Sequence, residues 1–314
     1  MKNGKMLVRA FPLAVFAFAG GALTVGKGGI ADGLAAACLA LFVIPMAVIA
    51  ANSVFGDEGI RGKRGVCGKL LYAFFSVFAA IAAFFIAAGS AREFSSFAAD
   101  VMLIRIPFWG IASIFLGFCA YLAGKGAEVI QKFSFVAFLI IAVTVPMLFL
   151  LSSPNFEMLD VFSLFDLKKI SAGGVLSALG GVFAPAIIAI IYFSLHKNTK
   201  MRPRSALLSV LISAAILLIC FLNVTLLLGE GFGKTREYPY SEAVSAVSAG
   251  KLFARMEGFV YMIYYAAAAV KTAVSLSLVC IVISDLLPKR WKNKRIFSAL
   301  PYAVAAVMTA LAAL

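Results

Sequence analysis

About nine stretches of roughly 20 mostly apolar residues, each long enough to cross about 30 Å of hydrocarbon, leave this chain few folds to adopt. They cover about residues 7–26, 30–52, 70–91, 106–124, 133–152, 173–195, 205–229, 256–287 and 296–314. Hydrophobic residues make up 63% of the 314 positions and charged residues 13%, with a mean hydropathy of +1.03. No soluble core has that balance, so the spacing predicts a single all-α membrane domain over residues 1–314. Lys2, Lys5 and Arg9 precede the first stretch as they would in a secretory leader. Another apolar span follows Gly20-Gly21 at once, so the first stretch is read as a retained transmembrane helix.

Charge supplies an independent test of this map, because short cytoplasmic loops collect Lys and Arg. With the N-terminus inside, the inner segments hold 18 of the 28 basic residues and the outer segments nine. The one left over is Lys271, inside the eighth span. The net charge of +14 therefore lies mainly on the cytoplasmic face and reports orientation and contact with anionic lipid. No soluble basic domain exists to bind nucleic acid, and none is expected as a partner.

Few residues suit catalysis. Four of the five cysteines (Cys38, Cys119, Cys220 and Cys280) fall within spans and Cys67 in a cytoplasmic loop, with no C-x-x-C pair. His196 is the sole histidine and borders a basic loop. Metal hydrolase, haem and Ser-His-Asp chemistries lack their parts, so neither an enzyme nor a cofactor is expected.

Two spans carry signs of broken helices. The first contains Ala19-Gly20-Gly21-Ala22-Leu23-Thr24 and the sixth contains Gly180-Gly181-Val182-Phe183-Ala184-Pro185. Paired glycines free the backbone and proline removes a donor, so amides and carbonyls can be left open at membrane depth. Such backbone is tolerated where protein or a watery cavity satisfies it, and it marks transporter-type sites. The two spans are five apart, as an inverted five-plus-five repeat requires. That repeat would divide the chain at about 7–152 and 173–314, the second half possessing fewer helices. Close helix packing at the glycines and a plain kink at Pro185 are the alternative.

Further landmarks follow in order: Arg92-Glu93-Phe94, Ile106-Pro107-Phe108-Trp109, Tyr121-Leu122-Ala123-Gly124-Lys125-Gly126, Tyr238-Pro239, Arg255-Met256-Glu257 and Lys271. Their order and spacing resemble the spore germination permease family over about residues 12–287. That family supplies the B subunit of germinant receptors and belongs to the amino acid, polyamine and organocation transporter superfamily. The resemblance implies a LeuT-like inverted-repeat helical bundle, here with about nine transmembrane helices and the family's tenth missing. It also implies a cell-membrane or spore inner-membrane location, a small germinant as ligand, and partner subunits of the A type and the C-type lipoprotein.

In such a fold the two broken spans would hold an amino acid. Its carboxylate would meet the amides around Gly20, Gly21 and Ala22, with Thr24 as a hydroxyl contact. Its ammonium would meet carbonyls around Gly180, Gly181 and Phe183. No Asp or Glu lies mid-span in spans one, three or six, which favours a neutral amino acid over a polyamine.

Lys271 lies 16 residues after Arg255 and 18 before Lys289, about 25 Å from either boundary and beyond easy snorkelling. A mid-span Lys costs about 2.5–3.5 kcal/mol on insertion scales, so it should face the interior. The family's eighth helix runs beside the broken first one. Lys271, helped by Ser275, would there act as a built-in cation or a proton-coupling group, with a helix-to-helix tether as the competing role. The outer loop from Gly229 to Arg255 is expected to carry a short interfacial helix over 241–254, as a lid or docking surface. A self-sufficient amino-acid transporter remains the alternative to a receptor subunit.

Overall fold

The computed structural model of the chain describes Val15, Phe18 and residues 30–55, 66–103, 105–156, 172–178, 184–195, 203–229, 237–245, 257–286 and 294–312. Every regular element among the described residues is helical. The chain order is α1 (Ile30–Phe55), α2 (Val66–Phe97), α3 (Phe108–Lys125), α4 (Ala127–Ser152), α5 (Ala172–Ala178), α6 (Ala184–Leu195), α7 (Pro203–Leu228), α8 (Pro239–Ser245), α9 (Glu257–Leu286) and α10 (Lys294–Ala312). In hydrocarbon a backbone must satisfy its own polar groups, which is why uninterrupted apolar runs of this length become helices. Six of them are long and apolar enough to cross a membrane.

Burial follows the helical period and faces inward with small side chains. On α1 the residues Ala36, Ala40, Ile44 and Val48 recur every fourth position and are enclosed, while Phe42, Met46 and Ile49 are exposed. On α2 the stripe Ala79, Ala83, Ala87 and Ala91 is buried, while Phe74, Phe78 and Phe85 point outward. Large apolar groups outside and alanines inside are what lipid demands, because close backbone approach drives helix association there. The most extensive helix pairing joins α2 to α9, and α9 is the most enclosed of the long helices. Around this pair, α3, α4, α6 and α10 all touch α9, while α1 packs on α7, α6 and α5.

Contacts between distant segments agree with the sidedness read from charge. Tyr72 at the start of α2 donates a 3.0 Å hydrogen bond to Asp285 at the end of α9. Asn52 and Ser194, near the last turns of α1 and α6, meet at 3.1 Å. Gly124 at the end of α3 lies near Pro301, one to two turns into α10. All of these lie at one end of the bundle, the end that the charge pattern assigns to the cytoplasm. On the other side the Tyr238 hydroxyl donates to Asp100 at 3.3 Å. Only Gly126, with φ of +90°, separates α3 from α4, a backbone state that suits glycine.

Several boundaries differ from expectation. The third span ends at Phe97 rather than 91 and continues as a π-helical turn over Ala98–Met102, so Arg92 and Glu93 are helical. Buried positions at Phe94, Phe97 and Ala98 reward those extra turns. The fifth begins at Ala127 rather than 133, Gly126 capping the previous helix so tightly that no loop is needed. Of the sixth, two helical segments are described, α5 and α6, and residues 179–183 between them lie outside the described residues. In the outer loop the described helix is Pro239–Ser245, where 241–254 was expected; 246–254 are not described.

The seat of α8 is aromatic. Phe97, fully enclosed, meets Tyr238 at 5.0 Å, Tyr264 at 4.8 Å and Tyr261 at 5.5 Å between ring centroids, all edge-on. Edge-to-face pairs add about 0.5–1.5 kcal/mol each beyond area burial.

Two substitutions test this packing. Ala83→Leu overfills the α2 stripe and should cost about 1–3 kcal/mol, lowering the thermal unfolding midpoint in detergent, whereas Phe74→Leu on the lipid side should leave it nearly unchanged. Phe97→Ala should cost about 3–5 kcal/mol and expose the outer loop around Tyr238 to protease sooner than wild type.

Candidate functional site

Lys271 sits where the sequence puts it, in the middle of α9, and is 8% exposed. A helix this apolar folds around an ammonium only if the charge faces protein. Thr272 beside it and Ser275 one turn later are fully enclosed, and their hydroxyls find no hydrogen-bond partner among the described residues. Buried polar atoms in native proteins are nearly all satisfied, and these two hydroxyls share their unpartnered state with Ser76, Ser90 and Ser95 of the neighbouring α2.

The carboxylate within electrostatic reach of Lys271 is Glu93. It lies on α2 one turn below Phe97 and is exposed. Apolar length alone ends the third span at about residue 91 and puts Glu93 in a loop. The four-residue repeat Ala79-Ala83-Ala87-Ala91, continued by Ser95, was the signal that the helix runs on.

Below Lys271, the Ser277 hydroxyl donates to the Tyr192 hydroxyl of α6 at 3.4 Å. The Cys119 thiol of α3 points at the Ala269 carbonyl at 3.8 Å. Two helices thus contact α9 within two turns of Lys271. Above it, the Tyr240 hydroxyl of α8 comes within range of the Asn223 amide and Cys220 thiol of α7 and of Tyr264, without hydrogen-bond geometry to any of them. This outer group is uncharged.

Tyr238 lies outside the spans, and its phenol is pushed well above the ordinary tyrosine range by burial first, then by Glu237, Asp100 and Glu93. Kept protonated, it remains a donor to Asp100.

Of the expected ligand contacts, Lys271 and Ser275 are brought together on one turn of α9. Gly20, Gly21, Ala22 and Thr24 lie outside the described residues, although Val15 and Phe18 just before them are helical and enclosed. Gly180, Gly181 and Phe183 lie outside them too, bracketed by α5, which packs on α1, and by α6, which packs on α1, α2 and α9.

Comparison with known proteins agrees with this architecture. The solved structure of Mhp1, a nucleobase-cation-symport-1 family transporter in a closed conformation with bromovinylhydantoin bound, superposes with a TM-score of 0.64. It shares 12% identity, and the match covers 98% of this chain and 71% of that one. At that identity the likeness carries the fold alone, a LeuT-like transporter fold. No curated protein sequence matches the chain. The spore germination protein family matches over residues 34–313, all of the described helices but the start of α1. This chain, an integral multi-pass membrane protein with a transporter fold, therefore belongs to the spore germination protein family.

Proposed function

We propose that the protein is the membrane subunit of a germinant receptor and binds a small neutral amino acid between its two broken spans. The observation that carries this reading is the enclosed Lys271 with Thr272 and Ser275 unpartnered beside it, in the helix that the rest of the bundle surrounds. Transporter fold and germination family together support a germination-related permease. The two halves, about 7–152 and 173–314, act as inverted repeats, and the breaks at Gly20 to Ala22 and at Gly180 to Phe183 line the site.

In this reading the amides of Gly20, Gly21 and Ala22 receive the ligand's carboxylate, with Thr24 adding a hydroxyl. The carbonyls around Gly180, Gly181 and Phe183 receive its ammonium. Lys271, with Ser275, supplies a fixed positive charge against the carbonyls of the first span, or exchanges a proton there. Ligand-driven tilting of the bundle is then passed to an A-type subunit and a C-type lipoprotein.

The likeness to a solved transporter favours a second reading, self-sufficient uptake by alternating access. The two separate in one experiment. Purified protein alone in liposomes should show no net uptake of labelled alanine if it is a sensor, and accumulation if it is a transporter. In spores, Lys271→Met should abolish the response to amino acid while leaving protein level unchanged; a normal response would reduce Lys271 to a tether. Labelled putrescine binding better than alanine would defeat the neutral-ligand assignment.

A further inference from the structure

Beneath α8, side chains from three helices bring polar atoms together without pairing them. Asn223 of α7, Tyr240 of α8 and Tyr264 of α9 are enclosed, and four of their atoms, Asn223 Oδ1 and Nδ2 and the two phenol oxygens, have no hydrogen-bond partner. Backbone geometry sets the two long helices level here. Asn223 lies five residues before the outer end of α7 and Tyr264 seven after the outer end of α9, about 8 Å and about 10 Å in along their axes. α8 packs on both helices, and the Phe97 ring, 4.8 Å from Tyr264 and 5.0 Å from Tyr238, ties α9 to the residue that leads into α8. Tyr240 thus comes within range of Asn223, of Tyr264 and of Cys220, which shares the Asn223 face of α7. Elsewhere on that helix Ser209, Ser213 and Thr225 donate to the carbonyl four residues back, at 2.7, 2.8 and 2.9 Å. Asn223 makes no such bond. Buried polar atoms in native proteins are nearly all satisfied, by protein, water or ligand.

We propose that Asn223, Tyr240 and Tyr264 form a binding site for a small uncharged amide, roofed by α8 and about two turns outward of Lys271. The Asn223 carboxamide offers a donor and an acceptor in one plane, and a second amide pairs with it head to tail: its carbonyl accepts from Nδ2 and its N–H donates to Oδ1. The phenols meet the remaining N–H and lone pair of a primary amide. A charged ligand is disfavoured, because the groups facing Tyr240 are a thiol, a carboxamide and a phenol, none of which offsets the desolvation of an ion. Bound across three helices, the amide clamps α8 to α7 and α9. This site does not rest on the receptor reading above, which is carried by Lys271.

The native Cys220 thiol reports on occupancy. With the full chain in lipid nanodiscs, modification of Cys220 by methyl methanethiosulfonate, read by peptide mass spectrometry, should slow at least threefold in millimolar acetamide. Acetate and acetamidinium, of the same shape but charged, should leave the rate within twofold. Asn223→Leu should abolish the protection by acetamide. Tyr240→Phe, which keeps the ring and removes one oxygen, should weaken it at least twofold, and it carries the test if Asn223→Leu does not fold. Saturation-transfer NMR of acetamide on the same samples should follow the same order, and it decides the matter if Cys220 does not react. Absence of acetamide binding overturns the proposal and leaves the four atoms to water only. Equal protection by all three solutes, or protection that survives both substitutions, overturns it as well.

Discussion

Everything in this bundle depends on α9 being packed tightly enough, against the alanine stripe of α2, to keep a lysine out of lipid. Without a hydrophobic driving force between helices, close backbone approach is what holds such a pair together. Ala79, Ala83, Ala87 and Ala91 provide that approach on one side. The enclosed residues Ala266, Ala267, Val270, Ala273 and Val274 provide it on the other. The charge at Lys271 opposes insertion by about 2.5–3.5 kcal/mol. Several helices surround α9 and offset that cost by giving the charge a protein environment.

The sequence was informative where physics acts locally. Apolar length placed the spans, and Tyr72 with Asp285 and Asn52 with Ser194 meet at one end of the bundle, as the alternation of those spans requires. Lys271 was recognisable because a lone cation among apolar residues has no local excuse. Less was legible where tertiary packing decides. Around Glu93 the four-residue repeat carried on by Ser95 is a faint signal that α2 continues, and the reward, Phe97 entering a cluster of tyrosines from α9 and the outer loop, is tertiary. The nearness of Asn223 and Cys220 to Tyr240 is equally hidden, since α7 and α8 meet only after the chain has turned back on itself.

The polar chemistry is divided by depth. Among the described residues, charged and charge-bonded groups (Glu93, Asp100, Tyr238) lie at the outer rim, an uncharged set (Cys220, Asn223, Tyr240, Tyr264) lies under α8, and Lys271 lies deeper still. A ligand passing inward along that gradient would lose competing charges before reaching Lys271. Low local dielectric then strengthens whatever contact it makes.

The two ends of the α2–α9 pair are fastened by different kinds of contact. At the cytoplasmic end Tyr72–Asp285 is a directional hydrogen bond, which weakens steeply when misaligned. At the outer end the fastening is ring against ring around Phe97 and Phe94, which tolerates a range of offsets. If α9 tilts, it therefore pivots at its inner end. A helix of this length extends about 45 Å, so a tilt of about 5° about that pivot would carry its outer tip by about 4 Å while the inner bond scarcely stretched.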